Sequence, residues 1–349
     1  MARDRVRHIG TGSAGAKARG LTDIADLVET SIAPAFAPDI AVAVPPLVVV
    51  GTDVFDRFID DNGLGGLPST TPADRDIAAA FDRAALPAGF RPDLESWLAG
   101  VRHPLAVRSS SVLEDAAALP FAGVYATRML ANNHPDVRVR SAELARAIKY
   151  VYASTWFSRA RDYAAAAGRP DLRDKMAVII QPIVGTAGKG RFYPHVSGVA
   201  RSFNFYPFGL ARPDDGVVDL ALGLGKAIVD DGVAWSWSPA CPQANPPYNC
   251  PADLLTQSQR QFWAVALAGG DVPRENGADA LARFGLTDAE ADGALRFVAS
   301  TYLPDDDRIV AGVDRAGARL VDFAPLLKAE LVPELTSRWR RGVTTSSWQ

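Results

Sequence analysis

The longest helical pattern in the chain, Val139 to Ala167, is closed by Gly168 and Pro170 and leads into an apolar strand, Met176 to Val184. Within that strand Ala177-Val178-Ile179-Ile180 offers no polar face, so it reads as a buried strand. A chain built on this pairing is neither all-α nor all-β. The alternation recurs along the sequence. Ile40 to Val50 is β-rich, and Thr52 or Asp53 is placed to cap a helix over Val54–Ile59. Short helices are expected near Asp74–Leu86 and Pro92–Leu98. Pro104–Arg108 reads as a strand ending in Ser109-Ser110-Ser111, and Gly123–Leu130 is strand-like. Beyond a turn at Gly185–Gly190, strands are expected within Phe192–Tyr206 and Gly216–Leu222. A Pro/Asn/Cys-rich stretch, Ser238–Pro251, reads as a boundary. Helical patterns follow around Leu255–Ala268, Asp279–Phe284 and Asp288–Thr301. A hairpin is expected from Arg308–Val313 and Arg319–Phe323, then a last helix from about Pro325 to Arg340.

At 349 residues with 48% hydrophobic and 22% charged content, the chain can bury two or three lobes. The expected organisation is an N-terminal lobe over 1–105, a central lobe over 106–240, a helical and hairpin part over 241–341, and a tail over 342–349. A formal net charge of −3 supplies no basic field for nucleic acid. No apolar run is long enough to span a bilayer. The segment Met1–Ile9 is charged and lacks the apolar core of a secretory leader. The two cysteines, Cys241 and Cys250, build neither a disulfide framework nor a zinc site, so a cytoplasmic protein is expected.

Four segments have the residue types of a nucleotide site. Gly10-Thr11-Gly12-Ser13-Ala14-Gly15-Ala16-Lys17 is a glycine loop entering a helix, where free N–H groups and a lysine favour an anion. It lacks the Gly-Lys-[Ser/Thr] ending of a Walker loop, and the short charged segment before Gly10 is a poor strand candidate. The bland alternative is a flexible cap with a solvated lysine. Arg108 beside three serines suits phosphate oxygens; equally, it can pair with Glu114 or Asp115 and tie down a loop. The strand through Gln181 can offer its backbone to an adenine edge, or be plain core. Gly223-Leu224-Gly225 allows close approach of a ligand, or makes a turn.

The ordered set of segments resembles the N-terminal ATP-grasp-like domain of the phosphoenolpyruvate synthase and pyruvate phosphate dikinase family. The resemblance is carried by Gly12–Gly20 (GSAGAKARG), Val44–Val50 with Thr52 and Phe55, and Ala106–Gly123 (AVRSSSVLEDAAALPFAG). It continues through Ala147–Tyr163, Lys175–Val184 (KMAVIIQPIV), Ser197–Ala200 and Gly223–Gly225. It implies a mixed α/β fold with two β-rich lobes around an ATP cleft. Lys17 and Arg108 would meet the phosphates, Gly123 and Thr127 would lie in the loop covering them, and Gln181 and Ile183 would meet the adenine. The family phosphorylates a histidine on a swivelling domain and passes that phosphate to pyruvate. Those phosphohistidine and pyruvate-binding parts would have to come from a separate chain. The closing hairpin departs from the family. Val310, Asp322 and Ala324 stand where a glutamate, a glutamine and an arginine would face Mg²⁺ and the phosphates. The resemblance therefore implies an ATP-dependent phosphotransferase domain that is incomplete on its own, or a nucleotide-binding module without turnover.

Overall fold

The computed structural model describes residues 6–35, 40–66, 73–112, 123–169, 174–230, 232–242, 244, 248, 250–267 and 279–328. The chain forms two compact units. Unit 1 comprises 1–183 with 274–281, and unit 2 comprises 184–273 with 282–349. These units cut the chain differently from the three stretches read in the sequence, because strands on both sides of residue 105 share one sheet.

The fold is mixed α/β. Unit 1 is built on a five-stranded sheet of order β1-β2-β5-β3-β4. The strands are β1 (Val6–Ile9), β2 (Leu47–Val50), β3 (Leu105–Ser111), β4 (Thr127–Leu130) and β5 (Met176–Pro182). β1 and β2 are parallel, joined through α1 (Gly15–Leu27); the remaining neighbours are antiparallel. A strand therefore does precede the glycine loop, contrary to the sequence reading. The polar residues Arg7 and His8 are exposed there, and the strand is an edge with one neighbour.

Alternation gives this sheet two distinct faces. Val48, Val50, Leu105, Val107, Met176, Val178 and Ile180 join the main core, which is covered by helices. Those helices include α2 (Thr52–Asp61), α3 (Asp74–Arg83), α4 (Phe90–Ala99), α5 (Val137–Ala153) and α6 (Ser158–Ala166). Leu47, Val49 and Ile179 face the other way and pack with Ala18 of α1. Each side chain fully buried in this way contributes about 1.5–3 kcal/mol. The long helical pattern is two helices rather than one: it breaks at Phe157, which is extended at φ −65° and ψ 157°.

Arg140 of α5 is buried, and its Nη1 donates to the carbonyls of Leu98 and Val101, each at 2.8 Å. A guanidinium thus satisfies carbonyls at the C-terminal end of α4. Burial, and secondarily Arg102, holds its pKa below the ordinary arginine value.

Unit 2 carries three sheets, of order β10-β9-β8, β12-β11-β7-β6 and β14-β13-β15. They comprise β6 (Thr186–Ala187), β7 (Arg191–Tyr193), β8 (Ser197–Arg201), β9 (Val217–Ala221) and β10 (Trp235–Trp237). The rest are β11 (Gln261–Ala266), β12 (Leu281–Gly285), β13 (Ala299–Leu303), β14 (Arg308–Ala311) and β15 (Ala318–Val321). Much of the expected helix at 255–268 and 279–284 is strand β11 and β12. Phe262, Trp263 and Val265 favour a pleated, buried surface, and packing overrode the apparent helical spacing. The expected hairpin is also rearranged: β14 and β15 do not pair with each other but flank β13. Of the last expected helix, Ala324–Lys328 is helical, and the remainder lies outside the described residues.

Candidate functional site

The glycine loop runs from Gly10 to Ala14, between β1 and α1, and is held from two directions. From the start of α2, the Asp53 carboxylate accepts from the N–H groups of Thr11 at 3.0 Å and Gly12 at 2.8 Å. Thr52 Oγ1 accepts from Ser13 N–H at 3.0 Å, and Thr52 N–H donates to the Ser13 carbonyl. Thr52 and Asp53 therefore do not cap α2, whose N-cap is Gly51; they grip the loop instead. Burial pushes the Asp53 pKa up, but the N–H groups of Thr11, Gly12, Asp53 itself and Val54 outweigh it, leaving the carboxyl below its usual value.

From the sheet, β3 holds the start of α1. Ser110 Oγ donates to the Ala14 carbonyl at 2.8 Å and accepts from Ala18 N–H at 3.1 Å. Gly15 makes this approach possible. Its φ is +74°, and a Cβ there would overlap the Ser110 carbonyl oxygen and lie 2.5 Å from the carbonyl carbon. The serine cluster is thus the last part of strand β3, not a loop beyond it. The reason is that all three serines are buried and continue the ladder opposite Met176–Val178.

Register then fixes where the sequence-derived residues stand. Arg108 is two residues before Ser110 on β3, hence on the face that carries α1. It is half-buried, opposite Thr127 on β4 and Ile179 on β5. Gln181 lies opposite Ala106 on β5, one pair along the same face. Directly and diagonally opposed residues on one face of a sheet are within side-chain reach. Arg108, Thr127 and Gln181 therefore share a face, and α1, which bears the half-buried Lys17, docks on it at Ser110. Gly123 has φ +73° with open space around its Cβ position. Glu114 and Asp115, the alternative partners for Arg108, lie outside the described residues.

The groups expected to meet the adenine are engaged within the protein. Gln181 Nε2 donates to the Pro45 carbonyl at 3.2 Å, and Ile183 N–H donates to the Pro104 carbonyl at 2.8 Å. Pro104 has no N–H to return to the Ile183 carbonyl. In unit 2, Gly223 serves the backbone. A Cβ there would lie 2.5 Å from the Trp263 carbonyl oxygen, and Leu224 N–H donates to that oxygen at 2.8 Å.

Two anchors of the site's strands were not singled out in the sequence. Arg128, on β4, pairs with Asp279 at 3.3 Å and stacks over the Tyr150 ring at 3.5 Å. Asp279 also accepts from Met129 N–H at 3.0 Å, and Ala280 N–H donates to the Met129 carbonyl at 2.8 Å. A lone aspartate 151 positions from its partner leaves no local pattern to read.

At the expected positions of the closing hairpin, Val310 has no side-chain ligand atom, and buried Asp322 accepts from Ala324 N–H at 3.1 Å, at the start of α7 (Ala324–Lys328). Among the described residues no group of three His, Cys, Asp or Glu side chains is placed to hold a metal. No helix among them is long and apolar enough to cross a membrane.

The mixed α/β fold, with a glycine loop gripped at the α1 N-terminus beside a sheet face carrying an arginine, agrees with an ATP-grasp-like nucleotide-binding domain. Residues 11–235 match the family model described as pyruvate phosphate dikinase, AMP/ATP-binding domain. The chain belongs to this family. It is 26% identical over 209 residues to phosphoenolpyruvate synthase of Aeropyrum pernix, covering 54% of this chain and 23% of that protein. It is 29% identical over 203 residues to rifampicin phosphotransferase of Streptomyces sviceus, covering 54% of this chain and 21% of that protein. The chain thus matches less than a quarter of the length of each of these relatives.

Proposed function

We propose that this chain binds ATP on the α1-bearing face of the unit 1 sheet and serves as the nucleotide-binding part of a phosphotransferase. The observation that carries the reading is the common face of Arg108, Thr127 and Gln181, with α1, the helix that bears Lys17, docked on it through Ser110. Arg108 presents a planar fork of donors to phosphate oxygens, and Lys17 adds a point charge at the helix start. Thr127 offers a hydroxyl at the strand end, and Gly123 leaves the turn before it open. With Gln181 and the Ile183 N–H engaged inside the protein, the Ile183 carbonyl is the acceptor we assign to the adenine amino group.

In the reaction of the assembled system, phosphorylation of a histidine en route to pyruvate, this domain would act with phosphohistidine and pyruvate-binding parts. A second reading, nucleotide binding without turnover, draws on Val310 and on Asp322, whose carboxylate is engaged at the start of α7. Phosphoryl transfer needs charge on the moving group neutralised, and these strands supply no carboxylate pair for a metal. Calorimetric titration with ATP, with and without Mg²⁺, beside a phosphate-release assay, tests both. The expected result is binding that weakens about 10- to 100-fold in Lys17→Ala and Arg108→Ala, since each removes a charge-assisted contact of about 1.5–3 kcal/mol. Wild-type chain that does not bind ATP would refute the reading. Brisk release abolished by both substitutions would refute binding without turnover.

A further inference from the structure

The glycine loop already encloses an anion, and that anion belongs to the protein. Consecutive backbone N–H groups in a glycine turn form a concave anion receptor. Here those of Thr11 and Gly12 converge on the Asp53 carboxylate, at 3.0 and 2.8 Å. The surrounding glycines make room for that carboxylate. A Cβ on Gly10 would stand 2.5 Å from Asp53 Oδ1, one on Gly51 2.7 Å, and one on Gly12 2.8 Å. Gly10 and Gly12 are thus accounted for by the protein's own Asp53, whose backbone nitrogen would also lie 2.4 Å from a Cβ on Gly12, rather than by the close approach of a ligand. Only beyond this cradle, from Gly15 on, does the segment become the α1 turn that bears Lys17 and rests on Ser110.

We propose that Asp53 is a positioning residue of the nucleotide site: its carboxylate fills the first half of the glycine loop, sets the course of the chain into α1, and leaves the triphosphate to the α1 turn and Arg108. This rests on the ATP-binding reading above. It makes a prediction opposite in sign to simple electrostatics. A carboxylate near a triphosphate repels it, so by charge alone Asp53→Asn would tighten ATP binding. As a positioning residue, Asp53 works the other way. Asparagine turns an amide N–H₂ toward one of two backbone donors, and the loop loses its shape.

The test is calorimetric ATP titration at neutral pH of the wild type, Asp53→Asn and Asp56→Asn. Asp56 lies one turn further along α2 and pairs with Lys175 at 2.5 Å, so its substitution removes the same charge without touching the loop. The expected result is about 10-fold weaker binding for Asp53→Asn and unchanged or tighter binding for Asp56→Asn. Backbone amide hydrogen exchange is the second measurement. Thr11 and Gly12 should lose protection in Asp53→Asn, while amides of β2 and β5 keep theirs, which separates loop release from unfolding. Asp53→Asn binding ATP as well as or better than wild type, or retaining Thr11 and Gly12 protection, overturns the proposal. Wild-type chain that fails to bind ATP refutes the nucleotide reading instead.

Discussion

Substituting Gly15 by alanine tests the docking of α1 on β3, which brings the start of α1 to the common face. Two costs follow from the geometry. The residue sits at φ +74°, where an L side chain costs about 1–2 kcal/mol. The new Cβ would also overlap the backbone carbonyl of Ser110, a group fixed inside the sheet and unable to swing aside. Forcing the helix start away from such a contact costs about 1–3 kcal/mol. Together the expected loss is about 2–5 kcal/mol in unit 1, as the costs of strain and overlap act on one residue. Gly20→Ala is the matched control, because that glycine lies in the same helix with nothing within 4 Å of its Cβ position. There alanine should stabilise by about 0.5–1 kcal/mol through helix propensity alone. Urea unfolding followed by a fluorescence probe in unit 1 measures both. ATP affinity should fall in Gly15→Ala and hold in Gly20→Ala. Gly15→Ala within about 0.5 kcal/mol of wild type, the range of an ordinary surface change, would refute the reasoning.

Arg140→Met should destabilise unit 1 by about 2–4 kcal/mol in the same unfolding assay, because two buried carbonyls lose their donor. Asp279→Ala should cost about 3–5 kcal/mol, since it leaves the buried Arg128 charge unpaired; Arg128→Met combined with it should recover part of the loss. Unit 2 should lose stability in acid through Asp288. Burial raises its pKa, but the Arg191 guanidinium and the Gly285 N–H outweigh that and hold it below 3.8. A carboxyl depressed on folding stabilises above its unfolded pKa, and this contribution fades as pH falls through about 4 toward the folded value. Unfolding midpoints measured from pH 6 down to 3 should show a shallower acid slope in Asp288→Asn.

The parts of this molecule legible in sequence are those governed by local chemistry. β5 is legible because its short β-branched apolar run, closed by a proline and a glycine turn, favours a strand covered on both faces. The glycine loop and the start of α1 were readable as a helix entry. The shared face of Arg108, Thr127 and Gln181 was not, because it depends on register between strands far apart in the chain. Thr52 or Asp53 reads in sequence as a helix cap, the commonest use of such a residue before a helix, whereas the partners of Asp53, Thr11 and Gly12, lie some forty residues away. β11 was read as helix because Phe262, Ala264 and Ala266 sit among apolar neighbours on both sides, so spacing did not separate the two periods.

The return of the chain at Asp279–Leu281 has a consequence for anyone who would divide this protein. Unit 1 is written in two instalments, and the second is made only after most of unit 2 has been synthesised. A fragment ending at residue 183 carries β4 without the Ala280 N–H that meets the Met129 carbonyl, and Arg128 without its carboxylate. On the ribosome the edge strand β4 therefore stays unmet until about a hundred further residues have emerged. Dissection at a single peptide bond does not yield two whole units; a circular permutant, or co-expression with a peptide covering 274–281, is the rational cut.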